Sequence, residues 1–356
     1  MGLLCGGQSA EHEVSLQSVQ NIIDALDTTR FDVVVIAIDK NGRWYLCDSG
    51  QFLRHAHDPS RVTLRAEGLE RVMLPPWSSP GFISAKSGQL RAQVDVLFPV
   101  LHGPYGEDGT IQGMLKLSQV PFVGAGVLAS ALTMDKVFAK RLLREAGIPH
   151  AAGRGIHRDE NPSFQEFETA YGLPLFVKPA NLGSSVGISV VSNAADFSEA
   201  LENAFRYDHM VVVEEAIAGK EVECGVLGDT SPIASVVGQV EPKHGFYSYE
   251  AKYLDPDGAK LRIPADISNQ EAECVRRLSL ESFQLFGCSG LARVDFFVRE
   301  GQVILNEINT LPGFTRISMY PRLWEASGVP YSELITRLLE NAIERASRDS
   351  QLQKTL

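Results

Sequence analysis

The stretch from Ala292 to Gly313 reads ARVDFFVREGQVILNEINTLPG. Two apolar runs, Ala292–Val298 and Val303–Ile308, flank a turn marked by Glu300-Gly301, the pattern of an antiparallel hairpin. Polar residues interrupt both runs at a period of two. Arg293 and Asp295 share one face of the first strand, and Glu307 and Asn309 share one face of the second. Opposite residues in such a hairpin have a constant sum of numbers. A two-residue loop puts Asp295 and Glu307 on opposite faces, whereas a three-residue loop at Glu300–Gln302 pairs them directly. The three-residue loop is the expectation, because facing carboxylates are destabilising unless something joins them. Asp295, Glu307 and Asn309 then converge as oxygen ligands, a set that suits Mg²⁺ held together with substrate phosphates. A solvated hairpin face fits less well, because the flanking strands are too apolar for an exposed ribbon.

Working outward, 356 residues predict two or three domains. A hydrophobic content of 44% with 22% charged residues is that of a soluble globular enzyme. The net charge of -11 argues against nucleic acid as a partner. Any bound phosphate must therefore meet local lysines, arginines and backbone N–H groups. The 5 cysteines are scattered with no CxxC pair, which reads as a reduced compartment without a disulfide framework or zinc site. No apolar run approaches a membrane span, and the start MGLLCGG has neither a signal-peptide core nor a myristoylation pattern. A cytoplasmic location with no membrane partner is the expectation.

Met1–Cys5 reads as a buried strand entering Gly6-Gly7, followed by a helix with Val19, Ile22, Ile23 and Leu26 in register and a second strand at Phe31–Ile38. That is a βαβ unit, whose binding edge lies at the strand C-termini. The glycine turn is equally readable as a plain helix entry. Residues from about Lys40 to Gln93 read as an elaborated edge. A further strand, Val94–Pro99, leads into the glycine-rich turn His102–Gly109, where His102 is either a turn residue or a ligand contact. In the second segment, strand Leu175–Lys178 runs into the loop Leu182–Gly187, whose glycines and serines can cover phosphates. Glu241–Pro264 is long and polar and carries Tyr247, Tyr249 and Tyr253, which favours a lid. Ser268–Glu271 is a capping box opening a helix with Val275, Leu278, Ser282 and Leu285 inward.

The motifs GGQSAEHEVS, LHGPYGEDGT, MDK, VKPANLGSSVG, EAKY, ARVD and NEINTLPGF stand in one order over nearly the whole chain. That order resembles the D-alanine–D-alanine ligases of the ATP-grasp superfamily. The resemblance implies a mixed α/β (α+β) chain: an N-terminal βαβ parallel-sheet domain at 1–134, then a two-domain ATP-grasp fold at 135–218 and 219–356. It implies a ligase that joins two D-alanines through a D-alanyl phosphate, with ATP and two Mg²⁺ (or Mn²⁺), in a homodimer that supplies peptidoglycan synthesis. Lys136 and Lys178 match the ATP-phosphate lysines, and Asp295, Glu307 and Asn309 match the metal site. Arg293 and Gly313 match the groups that meet the transferring phosphate and the oxyanion. Glu214, Glu215, Ala216 and Ile217 match the adenine connector, and Glu221 the ribose contact. Ser184, Ser185, Lys252 and Asn306 complete the implied nucleotide contacts. Glu11 matches the acceptor of the first D-alanine's ammonium, with His102 nearby. Ser184 and Tyr253 match its partners, and Ser318 with the Met319 backbone matches the second D-alanine's carboxylate pocket.

Two departures stand out. The chain begins inside the implied first strand, and Arg316 stands where a smaller polar residue is common. Alternatives remain: the same scaffold making D-alanyl-D-lactate or D-alanyl-D-serine, or a nucleotide-binding regulator without catalysis. The presence of Tyr253 rather than Phe counts against D-lactate.

Overall fold

The first sheet forms because its central strands are apolar on both faces. In the computed structural model, which describes residues 1–56, 58, 61–76, 81–184, 186–242 and 259–353, β1 (Gly2–Gly6) lies between β2 (Val34–Ile38) and β9 (Leu97–Pro99), parallel to both. Between β2 and β9 the chain forms β3 (Trp44–Cys47), an antiparallel edge strand, then β4 (Leu53–Arg54) and β5 (Thr63–Leu64), then a small sheet of β6 (Val72–Met73), β7 (Gly81–Ser84) and β8 (Leu90–Gln93). Helix α1 (His12–Ala25) covers one face of the first sheet. Helix α2 (Thr110–Leu117), with the small sheet, covers the other. Both faces are dry, which is why the strands carry no polar alternation. Beyond β9 the sheet gains only an isolated bridge from Leu97 to Phe122.

After α3 (Val127–Met134) and α4 (Lys136–Glu145) comes a second, antiparallel sheet. It is built from β10 (Gly153–His157), β11 (Leu175–Pro179), β12 (Ser189–Val191) and β13 (Met210–Glu215), with α5 (Phe164–Tyr171) and α6 (Ala194–Ala204) packed on one side. β10 escapes sequence reading because it carries glycines. A Cβ at Gly153 would lie 2.6 Å from Glu214 Cβ, so the close pairing of β10 with β13 requires glycine there.

The third sheet contains β14 (Lys220–Gly228), β15 (Ile233–Pro242), β16 (Ala259–Arg262), β17 (Gly290–Arg299) and β18 (Gln302–Asn309), in the order β16-β15-β14-β17-β18. Helix α7 (Asn269–Leu285) packs on it, opened by the expected capping box at Ser268 and Glu271. Leu285 is more than a third exposed, and Ser279 and Phe283 turn inward with Val275, Leu278 and Ser282. The chain ends in α8 (Met319–Ala326) and α9 (Tyr331–Ser350). The core of the first sheet is continuous with these last elements. Leu3, Leu16 and Val19 pack in one cluster with Phe314, Tyr320, Trp324, Leu334, Leu338 and Leu339.

The β17–β18 hairpin differs from expectation in its loop. Arg299 pairs with Gln302, so the loop is the two residues Glu300 and Gly301, both at positive φ (50° and 82°). A regular ladder from that turn would set Asp295 opposite Asn306. The register instead shifts between Asp295 and Phe296, Asn306 is the extra residue, and Asp295 meets Glu307. The expected pairing is present, produced by a bulge and not by a longer loop.

Candidate active site

Asp295, Glu307 and Asn309 lie on one face of the hairpin, and the carboxylate of Asp295 is bound on both oxygens. Arg293 Nε and Nη2 donate to Asp295 Oδ1 and Oδ2, each at 2.7 Å, and Asn309 Nδ2 donates to Oδ2 at 3.0 Å. Arg293 Nε also lies 2.8 Å from Glu223 Oε2 on the neighbouring strand, where Glu223 pairs with Asp295. Burial opposes the charge of Arg293, but Asp295, Glu223 and Glu307 outweigh it and hold the guanidinium well above its ordinary pKa. The fork is therefore fixed by two carboxylates, and Nη1 makes no hydrogen bond among the described residues.

A small cavity beside this face is lined by Lys136, Lys178, Asn306 and Glu307, together with Lys140 and His150. Lys136 heads α4, whose N-cap Asp135 accepts from the backbone N–H of Val137 and Phe138. Its Nζ donates to Leu182 O at 2.6 Å, tying the helix to the glycine-rich loop. Lys178, on β11, pairs with Glu214 on β13, and Lys140 reaches the other oxygen of Glu214 at 2.6 Å. Burial drives the Lys136 pKa down. For Lys178, burial is outweighed by Glu214 and Glu307, and its pKa rises. For Glu214, burial is outweighed by Lys178 and Lys140, and its pKa falls to about 2. Two of the cations at the cavity are thus held in place by one buried carboxylate.

The oxygen set fits a hard divalent cation shared with phosphates. Asp295 and Glu307 face each other, and Asn309 adds an amide beside them. Among the described residues no group of three or more His, Cys, Asp and Glu side chains could hold a metal by itself. Phosphate oxygens and water would have to complete the shell, which is how Mg²⁺ is usually bound.

The remaining candidates fall in two places. Along the connector, Glu215 Oε1 accepts from Ala152 N–H at 2.7 Å, Ala216 N–H donates to Pro174 O at 3.1 Å, and Ile217 is buried with Ala151 and Ile304. Glu221 is the second residue of β14 and acts electrostatically on Lys178. At the edge of the first sheet, Glu11 is 8% exposed just ahead of α1, and His102 Nδ1 donates to Leu311 O at 2.9 Å. Gly313 and Ser318 adjoin: a Cβ at Gly313 would lie 3.1 Å from Ser318 Oγ, which itself contacts Thr315 Oγ1 at 2.7 Å. Ser318 is the N-cap residue of α8 and Met319 its first residue, so the positive end of that helix lies beside Gly313. Arg316 is exposed, with its backbone N–H bonded to Asn21 Oδ1.

Ser184 holds a left-handed backbone (φ 55°), and its buried Oγ has no hydrogen-bond partner among the described residues. A non-glycine residue in that conformation, with an unsatisfied hydroxyl, is the kind of strain found at functional loops. The implied bond between Ser184 and Glu11 is not formed. Ser185, Tyr247, Tyr249, Lys252 and Tyr253 lie outside the described residues, as does most of the expected lid. Sequence reading missed Lys140, Glu223 and Glu107. Lys140 stands four residues after Lys136 on one helix, and Glu223 stands two residues after Glu221 on one strand, which are the only signals the sequence carries for them.

Two family models match the chain, "D-ala D-ala ligase N-terminus" over residues 1–125 and "D-ala D-ala ligase C-terminus" over residues 142–340. A D-alanine--D-alanine ligase of Shouchella clausii is 49% identical over 100% of this chain and 98% of that protein. D-alanine--D-alanine ligase A of Escherichia coli K12 is 49% identical over 100% and 99%. The solved D-alanine-D-alanine ligase of Coxiella burnetii superposes with a TM-score of 0.87 at 38% identity, covering 98% of this chain and 95% of that one. VanG D-Ala:D-Ser ligase of Enterococcus faecalis gives 0.84 at 35%, covering 96% and 98%. A Bacillus anthracis D-alanine--D-alanine ligase complexed with ATP gives 0.73 at 26%, covering 98% of each chain.

Proposed function

The chain belongs to the D-alanine–D-alanine ligase family, and from that premise we propose how its residues divide the work. The reaction is ATP-dependent ligation of two D-alanines on an ATP-grasp fold. In the proposed sequence, a carboxylate oxygen of the first D-alanine attacks the γ-phosphorus of ATP, and the bond to the β-bridging oxygen breaks to release ADP. The deprotonated amine of the second D-alanine then attacks the acyl carbon, and the C–O bond to phosphate breaks.

The first step brings two anions together, so cations must surround the phosphates. Lys136 and Lys178 fill that role, and Glu214 with Lys140 holds Lys178 in position. Arg293 Nη1, which makes no hydrogen bond among the described residues, belongs to a fork fixed by Asp295 and Glu223 and addresses the transferring phosphate. Asp295, Glu307 and Asn309 would hold two Mg²⁺ (or Mn²⁺), which when bound neutralise the β- and γ-phosphate oxygens. Asn306 and the loop at Ser184–Ser185 border the nucleotide with Lys252. The connector at Glu214–Ile217 and Glu221 border its adenine and ribose. Glu11 receives the first ammonium, with His102 beside it and Tyr253 as a further partner. Gly313 N–H faces the oxyanion, and Ser318 with Met319 N–H receives the second carboxylate.

The observation that carries this reading is the convergence of Lys136, Lys178, Asn306 and Glu307 on one cavity beside the Arg293–Asp295–Asn309 cluster. The proposed division is 1–134, 135–218 and 219–356, in a cytoplasmic homodimer serving peptidoglycan synthesis. No described helix is long and apolar enough to cross a membrane. Likeness to a D-Ala:D-Ser ligase in fold leaves the second substrate to be read by chemistry. Phosphate release with MgATP, screened against D-Ala, D-Ser, D-Lac and L-Ala, tests the reading. Turnover with D-Ala alone supports it, and preference for D-Ser or D-Lac overturns the substrate assignment.

A further inference from the structure

Glu107 joins the first sheet edge to the loop that follows the hairpin. Its Oε2 accepts from Gly103 N–H at 2.7 Å, and its Oε1 accepts from Leu311 N–H at 3.3 Å. The Leu311 carbonyl accepts from His102 Nδ1–H at 2.9 Å. Both backbone polar groups of Leu311 are therefore held by one glycine-rich turn of the first sheet. That turn lies beside Glu11: a Cβ at Gly103 would lie 3.3 Å from Glu11 Oε2. Gln112 Nε2 donates to Gly106 O at 2.7 Å and stiffens the turn from within α2. On the far side, Leu311 is two residues from Gly313. Hydrogen bonds thus run from Gly103, which lies beside Glu11, through Glu107 to the Leu311 backbone, two residues from Gly313.

We propose that Glu107 is a positioning residue for ligation: with His102 it sets where the Leu311–Gly313 backbone lies relative to the amino acid held at Glu11. The proposal rests on the ligase reading above. Stability alone does not account for the residue. Burial, with Glu11 and Glu307 nearby, pushes its carboxyl up to about 8 against the pull of the two N–H donors. An acid placed where burial and neighbouring acids oppose its ionisation is retained for what it positions, a common cost of function.

Glu107→Gln keeps the size of the side chain and replaces one acceptor by a donor that faces an N–H. Glu107→Asp keeps the carboxyl group and withdraws it by one methylene, too far to reach both donors. For each variant, steady-state ADP formation with D-alanine and MgATP is measured together with Tm. The expected result for both is a fall in kcat of about 100-fold, since small displacements near the reacting atoms have that effect. KM for ATP stays within about threefold, because the proposed nucleotide contacts lie on other elements. Tm of Glu107→Gln equals or exceeds that of the unaltered protein. A merely structural role predicts the reverse, a lower Tm with kcat preserved in the folded fraction, and that result overturns the proposal. So does a kcat within about threefold in Glu107→Asp, which carries the test alone if Glu107→Gln does not fold. Absence of D-alanine-dependent turnover in the unaltered protein would remove the ligase reading itself, a failure distinct from either variant's.

Discussion

Asp295 faces Glu307, and not Asn306, because Asn306 is an extra residue in its strand. Bulges re-aim side chains beside active sites, and here the bulged residue lines the cavity with Lys136 and Lys178. Deleting Asn306 gives a regular ladder in which Glu307 still meets Asp295. The variant should fold with an unchanged or higher Tm yet lose at least about tenfold in kcat, from a locally straightened strand. Unchanged kinetics would make the bulge incidental.

Glu307→Gln removes one charge from the proposed cation site and leaves the apolar strand residues intact. Turnover should collapse, with partial recovery as Mg²⁺ is raised, while circular dichroism stays native. Near-normal turnover at low Mg²⁺ would take Glu307 out of metal binding.

Lys140→Met leaves Glu214 with Lys178 as its single cationic partner. Removing one member of a buried charge cluster typically costs about 3–5 kcal/mol, and the residual pairing with Lys178 should hold the loss to about 2–3 kcal/mol in urea unfolding. A loss below about 0.5 kcal/mol would show that Lys178 alone compensates the buried charge of Glu214.

The same carboxylate sets an acid limit. Its folded pKa is about 2, below its ordinary value of 4.5. The unfolded chain therefore binds more protons between those values, and stability falls as pH drops through that window. Above pH 4.5 the contribution is complete, on the order of 3 kcal/mol at about 1.4 kcal/mol per pKa unit. Unfolding free energies from pH 6 to pH 2.5 should show a shallower acid slope in Glu214→Gln, and equal slopes would assign the acid limit to other groups.

The metal face was legible because polar residues at a period of two stand out inside apolar strands. The loop was misjudged for a physical reason: the constant-sum rule cannot reveal an extra residue placed partway along a strand. Glu223 stayed hidden because its meeting with Arg293 depends on pairing between strands far apart in the chain. Lys140 looks like a solvated helix lysine until β13 is laid beside it. Glu107 looks like an exposed turn acid, and its partner Leu311 lies 204 residues away. The long-range motif order still carried the fold, since each glycine-rich turn sits at a strand end where a sheet can present it.

The packing of Leu16 and Val19 against Leu334, Leu338 and Leu339 bears on how the protein is made. The helix that supplies those last leucines, Tyr331–Ser350, is synthesised long after the first strands. Until it emerges, the earliest-translated sheet has one face without its full cover, even though every strand of that sheet has long been synthesised. The nascent chain must therefore hold an apolar surface in reserve while the intervening residues are made, a period in which chaperone binding would be most useful. Shortening α9 from its C-terminal end should destabilise the segment at the opposite end of the chain.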